Sequence, residues 1–374
     1  MKIKMKISLN KIIKNLRLVT FIIAGLLSMP SFAQNVSIMT FNADLFNAPS
    51  VFGLGFGPQC DGSDCRRRAG SIAEKVIAEN PDVVLLQEVE ASDAINIIRT
   101  RLRSEGYIVT NDKGSGLLTA TKFPIVNRYF EEYREKHGTL GDGGDAWVDK
   151  GFLSTTLAIN GQHVNVINTH TDSKNDCEDS YTRMHQIYQF TDYLNTRPSN
   201  TPVLFGGDFN MNVNKTGKIG VCNNNEYYQV VNEYGFNPAY RTTKTEFQLF
   251  KLISGMDAVH EILNTSLSTT TVSNNNSVLD YFMAEHHQGD LTFQNIRTLD
   301  LRYDIEVDTF CYEIGEIEYG NVTHTYTECY PRLLTSSEIY EIVKDGENTV
   351  RLITQTRFNA ESDHFPVLLN FRVN

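Results

Sequence analysis

Short apolar runs recur along this chain, and a polar side chain closes, interrupts or precedes each one. Asn42 follows Ile38-Met39-Thr40-Phe41, Gln87-Glu88 follow Val83–Leu86, and His170 follows Val164–Thr169. Asp208 and Asn210 follow Val203-Leu204-Phe205-Gly206-Gly207, Asp280 lies inside Val278–Met283, and Asp363-His364 precede Pro366–Leu369. Runs this short and this rich in Val, Leu, Ile and Phe are strands rather than helices. A continuously apolar one such as Val83-Val84-Leu85-Leu86 is buried on both faces. Gly116–Ala120 reads as a further strand. Helical spacing separates the strands: Ile72, Ala73, Val76 and Ile77 share a face between Arg68 and Glu79, and Met184, Ile187, Tyr188 and Leu194 share another. Asn80-Pro81 ends the first helix, because the proline ring and its missing N–H forbid continuation. Interleaved strands and helices, with no repeat and no clean linker, predict a single α/β domain over residues 34–374. The stretch 285–360 carries few signals and reads as an insertion with its own hairpin, tied by Cys311 and Cys329.

Strand ends in α/β sheets are where loops splay apart and ligands bind. Turn chemistry accounts for a lone Asp or Asn after a strand, but it does not favour Glu or His. Glu88, His170 and His364 at three separate strand ends therefore mark a site rather than three turns.

The first 33 residues read as a secretory signal peptide. Lys2, Lys4, Lys6, Lys11, Lys14 and Arg17 precede the apolar run Leu18–Leu27, and Ser31-Phe32-Ala33 supplies small residues at a cleavage point before Gln34. The run falls short of the roughly 18–20 apolar residues that span a bilayer, so the expected destination is outside the cell or in the periplasm. Without those six basic residues, 28 Lys and Arg face 45 Asp and Glu, a net charge of −17. Such a surface lacks the basic stripe of a nucleic-acid binder, though a metal ion can still supply a local positive site. Six cysteines in an exported chain suit three disulfides. Cys60 and Cys65 are close in sequence, as are Cys311 and Cys329, which leaves Cys177 and Cys222, although six cysteines allow 15 pairings. No CxxC with partnering histidines supports zinc instead.

Taken in order, Thr40-Phe41-Asn42, Asp82–Glu88, Asn168-Thr169-His170, Gly206–Asn210, Leu279-Asp280-Tyr281 and Ser362-Asp363-His364 resemble the signatures of the endonuclease/exonuclease/phosphatase superfamily. That superfamily includes deoxyribonucleases, abasic-site endonucleases, phosphoinositide phosphatases and neutral sphingomyelinases. Within it, Asp149-Lys150-Gly151-Phe152, Thr169–Ser173 with Cys177 and Arg183, and Gly207–Asn214 resemble the secreted bacterial sphingomyelinases. The resemblance implies a four-layer α/β sandwich, two packed mixed β-sheets flanked by helices. Two departures stand out. No cysteine stands in Lys136–Asp145, a few residues before the Lys-Gly stretch, so the family's bridge to Cys177 cannot form as such, and Trp147 is the only tryptophan, so a Trp-rich membrane hairpin is absent. The insertion carries Phe310, Tyr312, Tyr319, Tyr326 and Tyr330 instead, which hairpin packing explains more simply than membrane contact.

Phosphodiester cleavage needs charge neutralisation, an in-line water and a proton for the leaving oxygen. General acid–base help supplies roughly 10²–10⁴-fold, far below the ~10⁶–10¹⁷-fold of enzymes, so a metal has to carry much of the electrostatic load. Carboxylate and amide oxygens suit Mg²⁺ or another divalent cation, with Glu88 as its anchor. By the resemblance, Asn42 and Asp363 join the metal set and His364 is the general base, oriented by Asp280. Asp208 then holds the attacking water or a second ion, Asn210 donates to a phosphate oxygen, and His170 stabilises the leaving group. Lys150 contacts phosphate as a point charge. The expected protein is a secreted, monomeric phosphodiesterase acting on sphingomyelin at a membrane surface, with peripheral membrane contact and no stable nucleic-acid partner. The alternatives are a DNase-like endonuclease, a phosphatase of inositol lipids, or a non-catalytic binding module that keeps the fold.

Overall fold

The computed structural model describes residues 33–45, 62–137, 148–174, 177–198, 200–215, 244–271, 277–285, 290–299 and 362–374, and the backbone of three strands between 310 and 353. The leader, most of the loop from Pro49 to Gly62, Cys60, Cys222, both Asn-rich stretches and the side chains of residues 300–361 lie outside the described residues.

The apolar runs become the inner strands of two six-stranded sheets. The first has the order β11 (Leu291–Thr298), β15 (Val367–Val373), β1 (Gln34–Leu45), β2 (Val83–Val89), β4 (Leu118–Thr121), β3 (Ile108–Asn111). The second runs β5 (Ile125–Glu132), β6 (Gly151–Ile159), β7 (Gln162–His170), β8 (Val203–Asp208), β10 (Asp280–Glu285), β9 (Met256–Ala258). Alternation along β1 and β2 divides their side chains between two cores. Val36, Ile38, Val83 and Leu85 join the core shared with the second sheet. Met39, Phe41, Val84 and Leu86 join the core under α1 (Gly62–Glu79) and α2 (Ser92–Ser104). Beyond the second sheet lie α3 (Cys177–Asn195) and α4 (Glu246–Ser254), followed by the single turn α5 (Val259–Ile262). Phe190 of α3 stacks on Phe205 of β8 at 3.7 Å between ring centroids, and Phe250 of α4 meets the same ring edge-on at 6.3 Å. Each such buried side chain contributes about 1.5–3 kcal/mol. Helices, sheet, sheet, helices: these are the four expected layers.

Two differences from the sequence reading have local causes. β10 begins at Asp280 because the carbonyls of Val278 and Leu279 accept from Val213 and Phe209 instead of entering a regular ladder. β11 falls within the stretch read as insertion, yet it pairs antiparallel with β15 as the edge of the first sheet. The backbone of β12 (Phe310–Tyr319), β13 (Val322–Tyr330) and β14 (Thr349–Ile353) forms a separate three-stranded sheet in which Cys311 lies opposite Cys329. No helix among the described residues is long and apolar enough to cross a membrane.

Strand direction explains why the polar residues meet. β1 and β2 are parallel, and so are β7 and β8, so Asn42, Gln87, Glu88, His170 and Asp208 all stand at carboxyl ends on one edge. β10 and β15 run antiparallel to their neighbours, so their amino ends reach that same edge. Asp280, the first residue of β10, pairs with Asp208, and residues 362–364 precede a β15 whose Val367 pairs with Thr40.

Candidate active site

Backbone register sets His170, Asp208 and Asp280 side by side across β7, β8 and β10. Only glycine allows this at position 207, because a Cβ there would lie 2.1 Å from the Thr169 carbonyl oxygen at a φ of +156°. The two sheets are joined at the same edge by buried amides. Gln87 Nε2 donates to Asn168 Oδ1 at 2.7 Å and to Thr40 Oγ1 at 3.1 Å, while Asn168 Nδ2 donates to the carbonyls of Leu86 and Leu118. The three bonds that involve Asn168 cross between the sheets and fix their separation, while the Gln87–Thr40 bond ties β2 to β1 within the first sheet.

Asn42 bridges the acids from the two sheets: its Nδ2 donates to Glu88 Oε1 at 2.8 Å and to Asp208 Oδ2 at 3.0 Å. His170 Nε2 lies 3.6 Å from Glu88 Oε1 and 3.8 Å from Asp208 Oδ2. Ligand atoms of Glu88, His170 and Asp208 fall within 4.8 Å of one another, matching the about 4–5 Å diameter of a shell with metal–oxygen distances near 2.0–2.6 Å. Charge points the same way. Burial first, then the nearby Asp363 and Asp44 carboxylates, push the Glu88 carboxyl up to about 7 against the Asn42 hydrogen bond and Lys150. A bound cation would return Glu88 to its ionised form. The donor set fits a hard divalent ion.

Glu88, Asp44 and Asn210 all sit in the left-handed region, at φ of 54°, 46° and 50°. Such conformations cost of order 1–3 kcal/mol and gather at working sites. Here they turn three side chains back toward one edge. Asp44, whose N–H donates to Asn42 Oδ1 at 3.0 Å, pairs with Arg68 of α1 at 2.8 Å. Its carboxyl is raised by burial and by Asp363, with Arg68 opposing.

His364 completes the second half of the site. Its Nδ1 lies 2.6 Å from Asp280 Oδ2, and its Nε2 faces Asp208 Oδ2 at 3.6 Å. The segment before it is pinned to the metal side, since Ser362 Oγ donates to the Asn42 carbonyl at 2.7 Å and accepts from His364 N at 3.1 Å. Burial alone would lower the imidazole's pKa, but Asp280 and Asp208 outweigh it and raise it well above the usual value. Burial pushes the Asp280 carboxyl up to about 6 even against that imidazole, and its Oδ1 has no hydrogen-bond partner among the described residues. Burial also acts to raise Asp208, yet His364, His170 and Asn42 hold it below the usual carboxylate range. One acid is thus kept ionised between two imidazoles, and another is held beside the base.

Of the residues expected from sequence, Asn42, Glu88, His170, Asp208, Asp280 and His364 come together. Lys150 stands just behind them: it is 2% exposed, donates to the Thr171 carbonyl at 2.9 Å and lies 3.3 Å from His170 Nε2. The glycine after it explains the Lys-Gly pair, because a Cβ at Gly151 would lie 2.2 Å from the Glu131 carbonyl oxygen. Asn210 Nδ2 donates to that same Thr171 carbonyl at 3.2 Å, and its N–H donates to Asp208 Oδ1 at 2.9 Å. Asp363 sits at the rim, 72% exposed with Oδ1 3.8 Å from His364 Nε2, outside both three-residue clusters that include Asp208. Arg68, Asp44 and the bracing role of Gln87 and Asn168 were not expected from sequence. Asp44, Gln87 and Asn168 lie at the ends of apolar runs and so carried a local signal as polar residues, whereas Arg68 carried none.

A buried imidazole–carboxylate pair faces a carboxylate-lined cluster with metal-ligand spacing at the edge of a four-layer sandwich, an arrangement that can serve metal-assisted hydrolysis. Comparison with known proteins gives the lineage. A model of the endonuclease/exonuclease/phosphatase family matches residues 39–294, and the chain belongs to that family. An uncharacterized calcium-binding protein of Arabidopsis thaliana is 30% identical over 161 residues, 37% of this chain and 32% of its own length. The sphingomyelinase C of Leptospira interrogans is 25% identical over 207 residues, 48% of this chain and 35% of that protein. The chain therefore matches about a third of the length of these two relatives. Among solved structures, a Staphylococcus aureus beta toxin variant with bound magnesium ions shares the fold at a TM-score of 0.55 and 16% identity, covering 90% of this chain and 99% of that one.

Proposed function

We propose that the protein is a secreted, Mg²⁺-dependent phosphodiesterase that hydrolyses sphingomyelin to ceramide and phosphocholine. The observation that carries the reading is the joining of the Glu88–His170–Asp208 cradle to the His364–Asp280 pair through a shared Asp208, with imidazole nitrogens at 3.6 and 3.8 Å from its Oδ2. The lipid preference rests on Asp149-Lys150-Gly151 and on the sphingomyelinase C of Leptospira interrogans. The magnesium preference rests on the oxygen-rich donor set and on the magnesium-bound S. aureus beta toxin variant. Export rests on the reading of the first 33 residues, and the three disulfides on that export and on the Cys311–Cys329 register.

Glu88 and Asp208 would hold the cation, with Asn42 Nδ2 orienting both carboxylates, and the cation would supply charge neutralisation at the phosphate. His364 Nε2 takes a proton from the attacking water while Asp280 holds its Nδ1. The new P–O bond forms as the bond from phosphorus to the ceramide oxygen breaks. His170, with Lys150 behind it, returns a proton to that oxygen. Asn210 and Lys150 fix the Thr171 loop beside the phosphate. Asp363 at the rim meets substrate or cation as it enters.

The test is a hydrolysis screen of purified protein over sphingomyelin, phosphatidylcholine, phosphoinositides and plasmid DNA, each with Mg²⁺ and with EDTA. Release of phosphocholine from sphingomyelin, abolished by EDTA, is expected. EDTA-resistant turnover, or nicking of plasmid without lipid hydrolysis, would overturn the reading.

A further inference from the structure

Thr270 belongs to no strand and to none of the strand-end motifs, yet it touches both halves of the base–acid pair. It is fully buried. Its Oγ1 accepts from two successive backbone N–H groups, Leu279 at 2.8 Å and Asp280 at 3.2 Å. Leu279 stands just before β10 and Asp280 opens it, and both N–H groups turn to this hydroxyl outside the ladder with β8. Its carbonyl accepts the N–H of Phe365, the residue after His364, at 2.8 Å. Its own N–H donates to the Ser277 carbonyl at 2.8 Å, and the next residue, Thr271, forms an isolated antiparallel bridge with His364. One residue therefore holds the backbone of Asp280 by its side chain and the backbone beside His364 by its main chain.

We propose that Thr270 is a positioning residue of the reaction, setting the 2.6 Å contact between Asp280 and His364. The proposal rests on the reading of His364 as base. The backbone of Asp280 is anchored on one flank by the β8 ladder, where it pairs with Asp208, and by Phe209 N–H donating to the Leu279 carbonyl at 3.0 Å. The other flank is anchored by the threonine hydroxyl. Without that acceptor the two N–H groups are buried and unpaired, and the start of β10 has to shift to find another partner. A displacement of about 1 Å at a reacting group lowers rate by roughly 10²-fold even when its source lies outside the chemistry.

Three variants test this on sphingomyelin micelles with saturating Mg²⁺. Thr270→Val keeps the branched shape and removes the acceptor, Thr270→Ala removes both, and Thr270→Ser keeps the acceptor alone. Val is expected to lower kcat by roughly ten- to a hundred-fold with KM unchanged, and Ser to restore it to within about threefold of the parent. Should Val fail to fold, Ala takes its place in the comparison. In an Asp280→Asn background, Thr270→Val is expected to add no further loss, because a residue acting through Asp280 has nothing left to position. Equal losses in Ser and Val, an unchanged kcat in folded Val or Ala, or losses that multiply with Asp280→Asn would each overturn the proposal. His364→Ala, assayed alongside, separates the two readings. Full activity there removes the base itself, whereas an inactive His364→Ala with a fully active Thr270→Val removes only the positioning role.

Discussion

Asp280→Asn preserves volume and burial while removing the one charge that touches His364 Nδ1, so it separates a working base from a merely buried histidine. Two losses follow from the 2.6 Å contact. A hydrogen bond to a charged group contributes about 1.5–3 kcal/mol, which at 1.36 kcal/mol per decade is roughly ten- to 150-fold in rate. In addition, an amide that turns its NH₂ toward Nδ1 reverses the tautomer. The imidazole proton then sits on Nε2, the atom that has to accept from water; the same exchange in a Ser-His-Asp site lowers kcat by about 10⁴-fold. The expected loss here is therefore about 10²–10⁴-fold in kcat, with KM little changed. Stability is expected to move differently. The Asp280 carboxyl is fully buried, pushed up to about 6, and has one oxygen unpartnered among the described residues, so a neutral amide relieves desolvation as it removes attraction. Initial rates on sphingomyelin micelles and on bis(p-nitrophenyl) phosphate, paired with thermal melts, provide the check. A variant within threefold of the parent kcat refutes the orienting role. So does a rate loss that merely tracks a collapse in Tm.

The pH profile carries a signed expectation: the base must be neutral, so kcat/KM rises with pH, and Asp280→Asn moves that acidic limb downward because it removes a carboxylate that raises His364. A limb that stays in place assigns it to another group. Glu88→Gln is expected to abolish most Mg²⁺-dependent turnover yet raise the Tm of metal-free protein above pH 7. The native Glu88, pushed from 4.5 up to about 7, holds a proton the unfolded chain has released, so its contribution to stability falls by about 3 kcal/mol as pH rises through that window. An unchanged metal-free Tm contradicts this. Arg183→Leu breaks the buried pair with Glu246 at 2.5 Å and is expected to destabilise by about 3–5 kcal/mol. Its kcat, measured well below the transition, is expected within a few-fold of the parent; a marginal effect on chemical denaturation would place little weight on that pair.

The sequence made the inner strands of both sheets readable, β6 excepted, because they are buried on two faces and need no periodicity to be seen. β2 and β8, with every apolar residue buried, are the clearest instances. β5 escaped notice for the opposite reason: as an edge strand it exposes most of its length, so neither alternation nor a continuous run survives. α2 did carry a signal, Ala94, Ile98 and Leu102 at steps of four, diluted by the arginines between them. The site residues were legible as residue types at strand ends, but their grouping was not. Which ends share an edge depends on strand direction, and direction is set by pairings such as β1 with β15 that lie more than 300 residues apart. For the same reason Gln87 and Asn168 could be seen as polar but not as partners, and Thr270 could not be seen at all. Its bonds are to backbone, and any short polar residue in a loop resembles it.

The acidic excess that argued against a polyanion partner takes a second meaning at this edge. Asp44, Glu88, Asp208, Asp280 and Asp363 gather there, while Arg68 is turned onto Asp44 and Lys150 is buried behind His170. The protein alone leaves that excess partly unneutralised, and the raised Glu88, Asp44 and Asp280 carboxyls are how it responds. A phosphodiester, itself an anion, would be repelled from such a surface until a divalent ion arrived. On the proposed function, the same carboxylates that make the free edge costly to ionise would make substrate binding conditional on the cation. Selectivity for when the site is active and strength of metal binding come from one set of side chains, which is why relieving the strain by Glu88→Gln is expected to stabilise the fold and disable the chemistry together.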